Sequence, residues 1–231
     1  MPNKNSLVLL VMTMALAAGL SGCKQPQING APDAQGLAEV EHSGMDAVRA
    51  NPTVNFAKYT SIVIEDLGFT QLKITQPLDS SARYEKFKLD DQDIAELRAG
   101  YRRQVTEVLT DEGAYRVLDS AGSGAGDTLR LQAEMTKLEP TAPREKDAVG
   151  VGSARDKTFT RGAGSMTLEA RLIDAKSGQT VATLRDEIAD DETWSQNNPV
   201  FNRGAVLRGF TNWGYGVRRQ LQALAAPKQQ K

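Results

Sequence analysis

Reactive chemistry in this chain is concentrated in one short motif near its N-terminus, Leu20-Ser21-Gly22-Cys23. Cys23 is the sole cysteine, and it follows an apolar run from Leu7 to Leu20. That run is too short to cross a bilayer comfortably, since a membrane helix needs about 20 residues. Ser21 and Gly22 are small enough for the cleavage site of a signal peptidase. The pattern predicts a signal peptide over residues 1–22 that is cleaved between Gly22 and Cys23.

The thiol of Cys23 explains why the motif ends in cysteine. An ionised thiol is a strong nucleophile, so it can accept a diacylglyceryl group as a thioether. Cleavage then frees the amine of Cys23 for a further acyl chain, such as palmitate. The motif is similar to the lipobox of bacterial lipoprotein precursors, and two or more acyl chains give stable membrane anchoring. The alternative is an ordinary secretory signal followed by an incidental cysteine.

The residue after the cysteine bears on which membrane holds the protein. In many Gram-negative bacteria an Asp at this position retains a lipoprotein in the inner membrane. This chain has Lys24 instead. We therefore expect a lipid-anchored protein of the outer membrane that faces the periplasm, in preference to the inner membrane.

Composition excludes several classes of function. With 28 basic and 29 acidic residues the chain has a net charge of −1, which provides no basic surface for nucleic acid. The single histidine, His42, precedes the predicted domain, so a Ser-His-Asp triad or a His-based zinc site is not expected there. With Cys23 lipidated, no disulfide can form. These features predict a non-enzymatic protein without a cofactor.

The hydrophobic pattern divides the chain into four segments. Residues 1–22 are the signal peptide, and 23–55 are the lipidated cysteine followed by a flexible tether, because this stretch is polar and has poor periodicity. A coil of about 30 residues reaches about 30 Å. Residues 56–226 are predicted to form one periplasmic domain, and residues 227–231 a disordered tail.

Within the predicted domain, two helices and several strands are expected. A helix capped by Asp90 or Asp91 carries an apolar stripe and stops at Gly113, and a second helix spans 202–226, with glycines that suggest close packing. Strands are predicted at 59–67, 115–118 and 127–138. Residues 165–174 and 180–188 alternate and should pair as a hairpin. We predict an α+β fold, a mainly antiparallel sheet of about five strands with both helices on one face.

The hairpin region also resembles a known family. The stretch 161–179 is similar to bacterial lipoproteins of the family named domain of unknown function (DUF) 3313. The matching positions are Glu169, Leu172, Asp174, Ser177 and Gly178, followed by the helical Trp213. Ser177 replaces the more usual Thr. The resemblance implies an envelope location and this type of fold, and it implies no catalytic residue.

Four groups of residues are candidates for binding or chemistry. Glycines and the cations Arg144, Arg155 and Arg161 could hold an anionic ligand or a glycan, although a loop between strands is the wrong context for a nucleotide fingerprint. Trp194 and Phe201 could anchor a partner. The acidic run over 186–192 is a solvated loop or a weak cation site. The remaining group is a carboxylate pair, Glu134 and Glu169, which either does acid–base chemistry or faces solvent.

Taken together, these features predict a lipid-anchored envelope protein that acts through contacts with another envelope protein. The alternative is a periplasmic binder of a small anionic ligand or glycan through the loop over residues 144–162. The two hypotheses differ in whether Arg144, Arg155 and Arg161 line a concave pocket.

Overall fold

The structure is a computed structural model that describes residues 26–77, 86–122, 126–141, 159–190, 194–196 and 199–226. Within this part the chain forms eleven strands and two long helices. In chain order the strands are β1 (Gln27–Asn29), β2 (Ala38–Glu41), β3 (Ala47–Ala50), β4 (Ser61–Ile64), β5 (Lys73–Ile74), β6 (Arg116–Leu118), β7 (Thr128–Pro140), β8 (Phe159–Arg161), β9 (Gly164–Asp174), β10 (Thr180–Asp190) and β11 (Trp194–Gln196).

Nine of the described strands form one mixed sheet, in the order β1-β2-β3-β10-β9-β7-β4-β6, with β5 also paired to β7. Strands β8 and β11 form a separate antiparallel pair. The prediction of a mainly antiparallel sheet of about five strands is therefore wrong. Strand β4 runs parallel to both β6 and β7. Its parallel pairing with β6 arises because the chain between these two strands passes through a helix, and a helical crossover leaves the connected strands in the same direction.

Three of the additional strands lie in the segment assigned to the tether. Strands β1 to β3 extend the sheet as an antiparallel meander, and β3 pairs with β10. Leu37, Val40 and Val48 are buried there. The prediction of a flexible tether is wrong for residues 27–50, because strands of three and four residues are too short to show clear alternation in sequence but still complete the edge of a larger sheet.

The two helices agree with the sequence prediction in kind and approximate extent. Helix α1 spans Asp91–Thr110, and Asp90 caps it in a reciprocal capping box with Asp93. Helix α2 spans Pro199–Ala225. The hairpin prediction is also confirmed, since β9 and β10 pair antiparallel around a turn at 175–179.

The core lies between the helices and one face of the sheet. Tyr101 of α1 packs edge-on against Phe210 of α2, with ring centroids 5.7 Å apart, and lies 6.0 Å from the ring of Trp213. Gly209 of α2 permits close packing of this helix on the sheet, as predicted: a Cβ there would overlap the side chain of Met166 in β9.

The hairpin of β9 and β10 gives the sheet two distinct ends. We call the end at its turn, Asp174–Thr180, the turn end. At the other end Pro140, Gly164 and Asp190 are aligned across β7, β9 and β10, and we call this the open end. Gly164 adopts a φ of 125°, and a Cβ there would overlap the backbone oxygen of Glu139, so glycine is required where β9 begins beside β7.

Candidate functional site

A buried carboxylate at the turn end is at the centre of a dense polar cluster in the described part of the chain. Asp174 is the last residue of β9, and its side chain is 8% exposed. Its Oδ1 accepts hydrogen bonds from the backbone N–H of Ser177 at 2.8 Å, from the Ser177 hydroxyl at 3.0 Å and from the N–H of Lys176 at 3.1 Å. One oxygen of Asp174 is therefore occupied by its own turn.

The second oxygen binds a distant part of the chain. Oδ2 of Asp174 accepts hydrogen bonds from Nζ of Lys58 and from the hydroxyl of Tyr59, both at 2.8 Å. Lys58 ends a short 3-10 helix, Phe56–Lys58, which packs against α2. The Lys58 ammonium also lies 4.6 Å from the ring centroid of Tyr59. Asp174 thus connects the hairpin turn to the segment that leads into β4.

The protonation of these groups indicates what the cluster can do. Burial alone would raise the pKa of Asp174, but hydrogen bonds from Lys58, Ser177 and Tyr59 hold that pKa well below its ordinary value. The bond to Asp174 raises the pKa of Lys58. Burial, together with the same carboxylate, raises the pKa of Tyr59 to about 12. At neutral pH the cluster is an ionised carboxylate with saturated acceptors, which stabilises the fold and does not readily transfer a proton.

This geometry explains the family-like residues of the hairpin in physical terms. Asp174 fixes the turn through Ser177, whose Oγ also accepts from the N–H of Gln179 at 3.3 Å. Gly178 has a φ of 71° and donates its N–H to the backbone oxygen of Asp174 at 2.8 Å. A threonine in place of Ser177 would offer the same hydroxyl, so the departure from the family pattern preserves the contact.

The structure brings Glu134 and Glu169 together, directly opposite each other on β7 and β9. Each carboxylate has its own partner: Glu134 accepts from the N–H of Gln71 at 2.9 Å, and Glu169 lies 3.4 Å from Nε of Arg185. They lie on the face of the sheet opposite the helices, and Glu169 is half exposed. The solvent-facing interpretation of the pair fits this arrangement.

The acidic run does not converge on one point in its described part. Asp186 and Glu187 follow each other in β10 and so point to opposite faces. Asp186 accepts a bond from the N–H of Asp46 at 3.3 Å, and Asp46 accepts one from the N–H of Glu187 at 2.9 Å. Asp190 accepts from the N–H of Ala163 at 3.2 Å. No group of three metal-type ligands occurs among the residues that the structure describes.

Several sequence-predicted positions fall outside what the structure describes. Gly22 and Cys23 precede the first described residue, and Arg144 and Arg155 lie in the range 142–158, which is not described. The backbones of Arg161, Trp194 and Phe201 belong to β8, β11 and α2, but their side chains are not described. The ligand loop and the partner surface therefore stay predictions.

The cluster around Asp174 contains residues that sequence reasoning missed. Lys58 and Tyr59 lie more than a hundred positions before their partner, and no spacing in the sequence connects them. The signal present in the sequence is the turn pattern over Asp174–Gly178. This pattern indicates a carboxylate that accepts hydrogen bonds from its own turn, but it does not reveal the further donors Lys58 and Tyr59.

Neither helix of the described part has both the length and the apolar character needed to cross a membrane.

Comparison with protein families gives one match that covers most of the chain. A family model described as "Protein of unknown function (DUF3313)" matches residues 27–216. It includes β1 to β3, which supports their place in the folded region. No curated protein matches the chain.

Solved structures give more distant similarities. A Xanthomonas campestris protein of the family DUF330 is 12% identical, with 86% of this chain and 94% of that one covered at a TM-score of 0.43. A candidate lipoprotein from Caulobacter crescentus is 12% identical, with coverage of 75% and 95% and a TM-score of 0.35. The PelC dodecamer of Paraburkholderia phytofirmans is 11% identical, with coverage of 71% and 96% and a TM-score of 0.34. Similarities this distant assign no function.

Proposed function

This chain belongs to the DUF3313 family of proteins of unknown function, and on that premise we propose that it is a lipid-anchored, non-enzymatic protein of the bacterial cell envelope that acts as an interaction or accessory module. The observation that carries the proposal is the motif Leu20-Ser21-Gly22-Cys23, which follows a short apolar run and contains the sole cysteine. The family-matched region begins at residue 27, directly after this motif.

The proposed location is the periplasmic side of the outer membrane. Acyl chains on Cys23 supply the attachment, at about 0.8 kcal/mol for each buried CH₂ group. Lys24 takes the position where Asp would favour the inner membrane. A chain with Lys24→Asp should therefore move to the inner membrane, whereas Lys24→Arg, which keeps the charge, should not. An unchanged location of Lys24→Asp would contradict the role given to this residue.

The non-enzymatic part of the proposal is supported by the cluster around Asp174. Catalytic acids and bases need pKa values near the working pH, whereas the pKa of Asp174 is lowered and that of Tyr59 raised to about 12. Both shifts move these groups away from neutral pH. The same contacts hold the hairpin turn against the start of β4, which is a structural role.

The proposed partner is another envelope protein, with Trp194 and Phe201 as its predicted contact surface. The test is photo-crosslinking in cells with a photoreactive residue at position 194, and a matched control at the exposed position Lys176. A discrete cross-linked envelope protein at position 194, absent at 176, is expected. Its recovery should fall when a cleavable secretory signal replaces residues 1–23. Lipidated protein that cross-links to no protein from position 194 would contradict the interaction role.

A further inference from the structure

The chain contains a single Asn-Gly pair, Asn29-Gly30, and the fold places it where an edge strand ends. Asn29 is the last residue of β1, which lies at one edge of the mixed sheet. Both residues are exposed, and Gly30 adopts a φ of 82° in the bend that follows the strand. Water and hydroxide ions therefore reach the side chain of Asn29 and the backbone amide that follows it.

The side-chain amide of Asn29 is held at both of its polar atoms. Its Oδ1 accepts a hydrogen bond from the backbone N–H of Gly30 at 2.9 Å, and its Nδ2 donates one to Oε1 of Glu41, also at 2.9 Å. The first bond places the Gly30 nitrogen beside the side-chain carbonyl of Asn29. The second bond keeps the amide turned so that its oxygen faces Gly30. The two atoms that close a five-membered imide ring, the Gly30 nitrogen and Cγ of Asn29, are thus neighbours in the folded chain.

Glycine at position 30 leaves this carbonyl open to attack. A positive φ of this size favours glycine, which has no side chain to obstruct the closing ring. Apart from its two chain neighbours, no described residue comes within 4 Å of the place where a Cβ of residue 30 would lie. Neither the residue itself nor the described surroundings therefore block the approach of the nitrogen.

We propose that Asn29 is a site of spontaneous deamidation in which the backbone nitrogen of Gly30 is the nucleophile. This nitrogen loses its proton and bonds to Cγ of Asn29, the bond from Cγ to Nδ2 breaks, and Nδ2 takes up a proton from solvent and leaves as ammonia. Water then opens the succinimide at either carbonyl, which gives aspartate or isoaspartate at position 29. The net reaction consumes one water molecule and releases one ammonia.

The product places a negative charge between strands β1 and β2. Asn29 lies directly opposite Glu39, and its amide is the donor to Glu41. A carboxylate at position 29 loses that donor and faces a like charge, which destabilises a cross-strand pair. Arg49, opposite Glu39 in β3, is already paired with Asp33 at 2.8 Å. Deamidation should therefore loosen the pairing of β1 with β2.

The modification is tested by mass spectrometry on the full-length protein, incubated in mild detergent and sampled over time. Trypsin releases residues 25–49 as one peptide, in which Asn29 is the only asparagine. Asn55 is the matched control within the same chain, because it is also exposed but is followed by Phe56. Its Oδ1 accepts from the N–H of Ala57, not from that of the next residue.

We expect Asn29 to convert at least about ten times faster than Asn55, since only Asn29 is followed by glycine. Both aspartate and isoaspartate should form, and the rate should rise with pH because the attacking nitrogen must lose its proton. Equal rates at the two asparagines, or aspartate without isoaspartate, would overturn the reaction through Gly30.

Two variants test the atoms assigned to the reaction. Gly30→Ala should slow the conversion about tenfold, because the added methyl group obstructs ring closure. Asn29→Gln keeps the amide but would have to close a larger ring, so position 29 should stay unconverted over the same time. Conversion at the wild-type rate in either variant would contradict the proposed reaction.

The structural consequence is measured by amide hydrogen exchange. Asn29→Asp imitates the main product, and exchange in β1 should become about two- to fivefold faster, as expected when a cross-strand pair is lost. Strands β9 and β10 are the internal control and should not change. Adding Glu39→Gln to this variant removes the facing charge and should restore part of the protection. Unchanged exchange of β1 in Asn29→Asp would overturn the loosening of this strand.

Discussion

Asp174 and Asp186 lie on the two strands of one hairpin, yet their surroundings shift the pKa values of the two carboxyl groups in opposite directions. Asp174, at the turn end, receives bonds from Lys58 and Tyr59 that hold its pKa below the ordinary value despite burial. Asp186 is also partly buried, and burial together with the carboxylate of Asp46 raises its pKa, although a backbone bond from Asp46 and the nearby Arg219 oppose the rise. Burial is common to both, so the difference comes from the donors that surround each carboxylate.

The two regions of the hairpin therefore contribute differently to the stability of the fold. At the turn end an ionised aspartate connects two segments of the chain, the hairpin turn and the segment of Lys58 and Tyr59, and is stabilised by both. Halfway toward the open end, Asp186 accepts a bond from the N–H of Asp46, and Asp46 accepts one from the N–H of Glu187, while the two carboxylates repel each other. Substitutions that neutralise each aspartate should therefore change the free energy of unfolding with opposite sign.

The largest effect is expected for Asp174→Asn. In asparagine an NH₂ group replaces one of the two carboxylate oxygens. This donor would then face other donors, either Lys58 and Tyr59 or the N–H groups of the turn. Loss of charged hydrogen bonds at a buried site should lower the free energy of unfolding by about 2–3 kcal/mol, measured by urea denaturation. Glu169→Gln, a half-exposed carboxylate on the same strand, is the control and should change it by less than about 0.5 kcal/mol.

The same variant should alter the acid response. Because the folded pKa of Asp174 is lowered, its contribution is present above the unfolded value of about 3.9 and is lost as the pH falls toward the folded pKa. Wild type should lose stability below about pH 4, and Asp174→Asn should lose less. A pH profile parallel to wild type would show that Asp174 does not have the lowered pKa.

A smaller loss is expected for Tyr59→Phe, because it removes one hydrogen bond to Asp174. We expect a decrease of about 1 kcal/mol in the free energy of unfolding. Tyr101→Phe is the matched control, since the Tyr101 hydroxyl is buried and has no hydrogen-bond partner in the described part of the chain. Removing that hydroxyl should leave stability unchanged or higher, so equal losses in the two variants would contradict the role of Tyr59.

The smallest effect, with the opposite sign, is expected for Asp186→Asn. The amide oxygen can still accept from the N–H of Asp46, and the repulsion between the two carboxylates disappears. At neutral pH stability should rise by up to about 0.5 kcal/mol. Asp46→Asn relieves the same repulsion, so the double variant should gain less than the sum of the two single gains.

The pH dependence of this variant also has the opposite sign. A raised folded pKa stabilises the folded protein at low pH, and that contribution is lost as the pH rises through it. In the Asp186→Asn variant, the free energy of unfolding should therefore fall more steeply with decreasing pH than in wild type. A shallower profile, or a loss of stability at neutral pH, would contradict the repulsion between Asp46 and Asp186.

The parts of the fold predicted from sequence are those with long, regular periodicity. Helix α1 carries a repeated apolar stripe and a capping box, and β9 and β10 alternate over eleven residues each. The alternation of apolar and polar residues does not indicate whether a strand pairs parallel or antiparallel. The sequence therefore did not predict that β4 lies between β6 and β7 and runs parallel to both. Strands β1 to β3 are too short for alternation to distinguish them from a polar tether.

The site was predictable only in its local part. The turn over Asp174–Gly178 is visible in sequence because its polar and glycine residues bond to one another. The contacts of Lys58 and Tyr59 depend on the packing of β4 beside β7 and of β7 beside β9, and packing between distant segments leaves no local pattern. The carboxylate pair Glu134 and Glu169 was correctly placed on polar faces, while their alignment depends on the register.

The most direct test of the proposed lipid anchor is the mass of the mature N-terminus, measured on protein extracted from membranes. A lipid anchor at Cys23 requires a mature chain that begins at Cys23 and carries a diacylglyceryl thioether with a further acyl chain on its amine. A membrane-associated chain that begins at another residue, or that begins at Cys23 with a free thiol, would contradict the lipid anchor.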